Sequence, residues 1–169
     1  MKVKLIILVF VVLGIASCTT KKQSAEQKAV DVAKLLTMAD NHFDQQVLIK
    51  GTVNHVCTHS GRRCFLIDST GEHSIRVEAA GQIENFPKEI MGSEILVKGT
   101  LKEQCLTAEE IDQMEADLLE KHPEESEKNG ENCSAEMSNI HQMRNWMKEH
   151  GKDYYAIYYV EGHSYEAIQ

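Results

Sequence analysis

Val47-Leu48-Ile49-Lys50-Gly51-Thr52-Val53-Asn54-His55-Val56-Cys57-Thr58-His59-Ser60-Gly61-Arg62-Arg63-Cys64-Phe65-Leu66-Ile67-Asp68 decides the fold. Two apolar, β-branched runs flank a turn rich in Ser, Gly and Arg, the pattern of a β-hairpin. Val47, Ile49, Gly51 and Val53 fall on one face of the first strand, with Lys50, Thr52 and Asn54 on the other. Gly51 in mid-strand predicts a bulge or a sharp coil. The second strand covers about 63–68 and stops at the turn Asp68-Ser69-Thr70-Gly71.

Working outward, Ile75, Val77 and Ala79 alternate with Ser74, Arg76 and Glu78 as a third strand. An irregular or helical stretch, Gln82 to Met91 around Pro87, leads to a fourth strand on Ile95, Val97, Gly99 and Leu101. Upstream, Val32, Leu35, Leu36, Ala39 and Phe43 have helical spacing, and Ser24 with Gln27 makes a capping-box pair. They predict a helix over about 25–41. Downstream, Thr107 and Glu110 cap a helix of about 107–121 on Ile111, Met114 and Leu118. His122-Pro123 stops it, and charged Glu124–Glu131 reads as a loop. Met137, Ile140, Met143 and Met147 then predict a helix over about 134–149, with Gly151 at its end. Tyr154–Val160 is strand-like, and either completes the sheet or lies along its edge.

Three meandering strands, a connection and a fourth strand, with Gly in the first and last, resemble an OB-fold. The phrases Val47–Val53 and Ile95-Leu96-Val97-Lys98-Gly99-Thr100-Leu101 are similar to the paired glycine-bearing strands of that superfamily. Val32–Glu103 as a whole resembles exported OB-fold lipoproteins of bacteria, some tRNA-anticodon-domain-like, whose first hairpin carries a Cys-x-His-x-Gly-Arg/Lys motif. Here that motif is Cys57-Thr58-His59-Ser60-Gly61-Arg62. The resemblance implies a mainly β chain with added α: a five-stranded Greek-key barrel, a leading helix and two C-terminal helices. It carries little function, because one fold hosts many.

Lys2 and Lys4 precede an apolar run, Leu5–Ile15, too short for a comfortable membrane span and suited to the core of a secretory signal. Ile15-Ala16-Ser17-Cys18 resembles the lipobox of bacterial lipoproteins. The resemblance implies removal of residues 1–17, diacylation of Cys18, a tether over 18–27 and an envelope location. The barrel with its helix then takes 28–104, and an acidic helical extension with the final strand takes 105–169. Residues 46–104 hold seven Lys/Arg and seven Asp/Glu, whereas 105–169 hold five and fifteen. That balance supplies no basic footprint for nucleic acid.

The chemistry-bearing residues crowd the hairpin tip. Once Cys18 is set aside, Cys57, Cys64, Cys105 and Cys133 remain, an even number suited to disulfides, with Cys57 and Cys64 flanking the turn. Alternatively, His55, Cys57, His59 and Cys64 form a tetrahedral donor set for Zn or Cu, although their spacing is no standard zinc motif. A third option is a redox-active Cys57–Cys64 pair, its thiolate favoured by Arg62 and Arg63. His59, Gly61, Arg62 and Arg63 also suit an anion pocket of backbone N–H groups and guanidinium forks.

Met137, Met143, Met147 and His141 fit a core stripe better than a copper site. Tyr154, Tyr155, Tyr158 and Tyr159 fit an amphipathic strand or a stacking platform, and His163 near Tyr165 fits an exposed tail. The sequence establishes no cofactor, and Zn or Cu at the hairpin is the candidate it offers. The sequence therefore predicts a lipid-anchored, non-enzymatic binding module for a small ligand or an envelope protein. Metal or haem carriage, thiol redox work and oligonucleotide binding are the alternatives. The histidine-tyrosine motif of exported OB-fold haem chaperones is not found here, and the only aromatic in the first four strands is Phe65.

Overall fold

The structure, a computed structural model, describes residues 28–121 and 131–168. Its elements are β1 (Val30–Asp31), α1 (Val32–Met38), β2 (Gln46–Val56), β3 (Arg63–Ile67), β4 (Ser74–Ala79), β5 (Glu94–Thr107), α2 (Ala108–Lys121), α3 (Glu131–His150) and β6 (Tyr154–Ala167).

β2, β3 and β4 form an antiparallel meander. β6 then inserts between β4, to which it is parallel, and β5, to which it is antiparallel. β5 returns to β2 through seven residue pairs, Gln46↔Thr100 to Thr52↔Glu94, and the sheet closes. The result is a closed five-stranded barrel, mainly β with three helices, of OB-fold-like build. Tyr154–Val160 thus belongs to a strand that completes the barrel and runs on to Ala167. The barrel draws on residues from both sides of position 104, and α2 and α3 are inserted between its last two strands.

Inward-facing residues of all five strands build the core, among them Ile49, Val53, Leu66, Val77, Val97 and Val160, each 0–1 % exposed. Val32 and Leu35 of α1 close one part of it. Glycines allow the tight coil. A Cβ on Gly51 would stand 2.9 Å from the Ile67 carbonyl oxygen and 3.1 Å from Val32 Cγ2. This is where β2 passes from its β5 partner to its β3 partner. A Cβ on Gly99 would collide with the Glu161 carbonyl, where the β5–β6 register shifts.

The leading helix differs from its expected span. It starts at Val32, because the Asp31 side chain accepts the Ala33 N–H at 3.0 Å, an N-cap that ends the preceding extended segment. Val30 and Asp31 themselves pair in parallel with Ile49 and Lys50. The capping pair at Ser24 and Gln27 lies outside the described residues. The Gln82–Met91 stretch holds only one 3-10 turn, Lys88–Ile90. The expected capping box of α2 forms: Glu110 N donates to Thr107 Oγ1 at 3.2 Å and Thr107 N to Glu110 Oε2 at 2.8 Å. Gly151, with φ +62°, follows α3 as expected.

Two polar clusters brace the barrel. Asp40 accepts from Lys152 Nζ at 2.8 Å and from the Tyr158 hydroxyl, which also contacts Glu103 at 3.0 Å. They tie the turn after α1 to β5, β6 and the end of the insertion. In the β3–β4 turn, Asp68 is 5 % exposed and accepts from Thr70, from Glu72 N and from His73 Nδ1 at 2.9 Å.

Gly51→Ala is expected to cost about 1–3 kcal/mol, because its new methyl meets backbone and branched side chains that cannot retreat. A lowered denaturant midpoint with an unchanged slope checks it. Burial raises the Asp68 carboxyl, but the hydrogen bonds from His73, Thr70 and nearby amides outweigh that and hold it down at about 2. Its contribution to stability is therefore fully present above its unfolded value of about 3.9 and is lost as pH falls toward 2. Urea midpoints measured between those values should fall less steeply in Asp68→Asn than in the wild type.

Candidate functional site

The site is the tip of the β2–β3 hairpin. β2 carries a bulge between Val53 and His55, so the inward alternation shifts by one residue there and Val56 points into the core. β2 ends at Val56, and a compact turn follows. Cys57 N donates to the Arg63 carbonyl at 2.8 Å, and Gly61 N donates to the Cys57 carbonyl at 2.9 Å. Gly61 holds φ +64°, and a Cβ there would lie 3.1 Å from the Phe86 carbonyl oxygen. The glycine satisfies both demands. Phe86 N donates back to Gly61 O at 2.7 Å, so the 85–86 loop fastens the tip from behind.

On the other side the tip is stitched to the end of β4. Ala79 N donates to the Arg62 carbonyl at 2.8 Å, and Arg62 Nη2 donates to the Ala79 carbonyl at 3.2 Å. Arg63 Nε and Arg76 Nε each lie 3.2 Å from Glu78 Oε1. The Arg76 approach lacks hydrogen-bond alignment and leaves that buried N–H without a partner among the described residues. Between tip and strand is a cleft of about 330 Å³, lined by Cys57, Ser60, Arg62, Arg63, Glu78 and Ala79.

The cleft joins an aromatic and cationic row on the outer barrel wall. Register places His55 beside Phe65, Phe65 beside Arg76, and Arg76 beside Tyr159. The His55 and Phe65 rings tilt together at 6.0 Å. The Arg76 guanidinium lies 4.7 Å over the Tyr159 ring and donates to Gln104 Oε1 at 3.1 Å.

The two hairpin cysteines live in different environments. Cys57 is half-buried at the cleft. The backbone N–H groups of His59 and Ser60 stabilise its thiolate, with the Ser60 hydroxyl and Arg63 adding to them, and hold the thiol below its ordinary value of 9.0. Of the amides the sequence suggested for an external anion, that of Gly61 is taken by the Cys57 carbonyl and that of Arg62 by the Ser60 hydroxyl. Cys64 points into the barrel core at 0 % exposure, and burial pushes its thiol up to about 12.

This placement separates the expected donor set. His55 is on the outer wall, Cys57 and His59 are in the turn, and Cys64 faces the interior. No group of three metal-ligating side chains is gathered among the described residues. Two features separate them: the bulge pairs His55 with outward Phe65 while Val56 pairs with inward Cys64, and β2 ends at Val56, which leaves Cys57 and His59 in the turn. Cys57, Cys64 and Cys105 are free thiols, Cys105 being exposed. The Cys133 side chain and Cys18 lie outside the description. Of the four residues suggested for an anion pocket, Arg62 and Arg63 line the cleft, whereas His59 and Gly61 lie in the turn and are not part of its lining.

Glu78, Ala79 and Arg76 joined the site unforeseen, although their strand was legible. Their neighbours come from register, which alternation does not encode. Among the remaining candidates, Met137, Met143 and Met147 pack around Ile111, Leu118 and Ile140 in a second, smaller core. His163 and Tyr165 are not a tail. They lie in β6, where Tyr165 packs on Phe86 at 5.5 Å and the His163 carbonyl accepts Gln82 N.

No protein-family model matches this chain, and no curated protein shows significant similarity to it. Function must be argued from the site.

Alkylation kinetics test the thiol environments. The Cys57 rate should rise through a pH midpoint below 9. The midpoint of Cys105 should lie above 9, because local desolvation by its neighbours and the nearby Glu103 disfavour its thiolate. Cys64 should be labelled only after denaturation. Peptide mapping of iodoacetamide-treated protein across pH reads all three.

Proposed function

We propose that this chain is an exported, lipid-anchored, non-enzymatic binding module, tethered at Cys18, that holds a small anionic ligand at the β2–β3 tip. The closed barrel is compatible with such a module. The observation that carries the ligand class is the cleft, where Arg62 and Arg63 line one wall with a single carboxylate, Glu78, which Arg63 and Arg76 share. Arg62 spends one of its five N–H donors on Ala79, which orients the guanidinium and leaves the other donors for a carboxylate or phosphate. The aromatic row beside the cleft suits a planar or ring-bearing ligand body.

Titration calorimetry with inorganic phosphate and with small di- and tricarboxylates tests this reading. Arg62→Ala and Arg63→Ala are each expected to weaken binding about tenfold or more. Arg62→Lys should recover only part of it, because an ammonium cannot reproduce the fork. Binding that is indifferent to both arginines sinks the proposal. The anchor is tested separately. Cys18→Ala should abolish incorporation of labelled fatty acid and release the protein from the membrane fraction.

A second reading rests on Cys57. A half-exposed, thiolate-favoured cysteine beside two arginines suits thiol exchange with an anionic disulfide. Retention of anion binding in Cys57→Ser assigns the cleft to the first reading, and its loss with intact folding assigns it to the thiol.

A further inference from the structure

α2 and α3 form an antiparallel hairpin with a core of its own. Ile111, Leu118 and Ile140 are 0–6 % exposed there, with Leu106, Met137, Met143, Met147 and Tyr155 packed around them. Two helices cover only one side of such a seam. On the other side an apolar groove of about 250 Å³ remains among the described residues, lined by Met114, Leu118, Ile140, Met143, Asn139 and Glu136. Met114 is 40 % exposed and lies in the groove lining with Leu118, Ile140 and Met143, so its exposed surface is part of a contiguous apolar patch. Methionine-lined grooves adapt to helical partners that present apolar residues at i, i+3, i+4 and i+7.

Charge selects the occupant. Six of the 14 residues of α2 are Asp or Glu, against one Lys. Arg144 neutralises only Asp112 and Glu115, at 2.6 Å each. Asp117, beyond the groove on α2, and Glu136, in the groove wall, have no cationic partner among the described residues. A helix laid along α2 would span about 21 Å, four turns. We propose that the α2–α3 groove docks a basic amphipathic helix of a partner protein, completing a three-helix bundle at the end of the barrel. This surface is distinct from the hairpin-tip cleft and does not depend on how that cleft is read.

The test uses the full chain in neutral detergent micelles, with methyl-labelled methionines as reporters. The probe is a 14-residue Leu/Lys amphipathic helix, matched in length to α2. A Leu/Glu helix of the same pattern and a scrambled Leu/Lys peptide serve as controls. The Met114 and Met143 methyl signals are expected to shift and saturate with the Leu/Lys helix alone, while Met91, exposed elsewhere on the protein, stays put. Met114→Glu, a substitution at an exposed position, should weaken binding about tenfold or more. Met91→Glu should leave it unchanged.

Equal response to the scrambled peptide, equal movement of Met91, or silence at Met114 and Met143 overturns the proposal. So does a dimer in sedimentation that Met114→Glu dissociates, because a second copy would then be the occupant.

Discussion

The pairing of β6 with β5 is the constraint on which the structure depends. It runs through thirteen residue pairs, from Ile95↔Ala167 to Thr107↔Tyr154. It gives β4 its second neighbour and leaves β5 free to close on β2. Without it, β4 and β5 would each present an open edge, with unpaired backbone groups and an uncovered core. Closure also needs strands that coil strongly, and that demand falls on Gly51 and Gly99, where another residue's backbone comes too close for a side chain. Val47–Val53 and Ile95–Leu101 look alike because the two strands meet each other and solve one geometric problem.

The hairpin tip inherits its chemistry from that framework. Cys64 faces inward on the regular alternation of β3 and Cys57 lies in the turn past the end of β2, so two cysteines seven positions apart have opposite thiol tendencies. Arg62 is held by the Ala79 carbonyl and Arg63 by Glu78. Side chains held in this way keep a cleft open at little entropic cost on binding, which is how a small site on a rigid scaffold gains affinity.

The helical insertion follows a different logic. It emerges from the far end of the β5–β6 ribbon and is capped at Thr107 and Glu110. It is fastened at its return by Lys152, which reaches Asp40 at 2.8 Å and Glu103 at 3.5 Å and lies over the Trp146 and Tyr154 rings. Its apolar residues form their own cluster apart from the barrel core. An acidic, methionine-lined hairpin on a neutral barrel separates two surfaces of unlike character on one chain.

Much of this was legible in order of residues alone. Alternation of apolar side chains located β2, β3, β4 and the first half of β5, because a half-buried strand imposes a period of two whatever its neighbours are. The capping pair Thr107 and Glu110 and the terminating Gly151 act within a single turn, so local sequence determined them. His59, Gly61, Arg62 and Arg63 share one turn for the same local reason, but only the two arginines line the cleft.

Tertiary structure decided the rest. Whether Tyr154–Ala167 closes the barrel depends on pairing with distant strands, 72 residues away in Ile95↔Ala167 and 83 in Val77↔Val160. The bulge at Val53–His55 is a response to the coil of the sheet, and together with the end of β2 at Val56 it dispersed a donor set that a straight strand would have aligned. Glu78, Arg76 and Tyr159 entered the site through register. Register is set by the closure of the whole barrel, and no single strand carries the information to specify it.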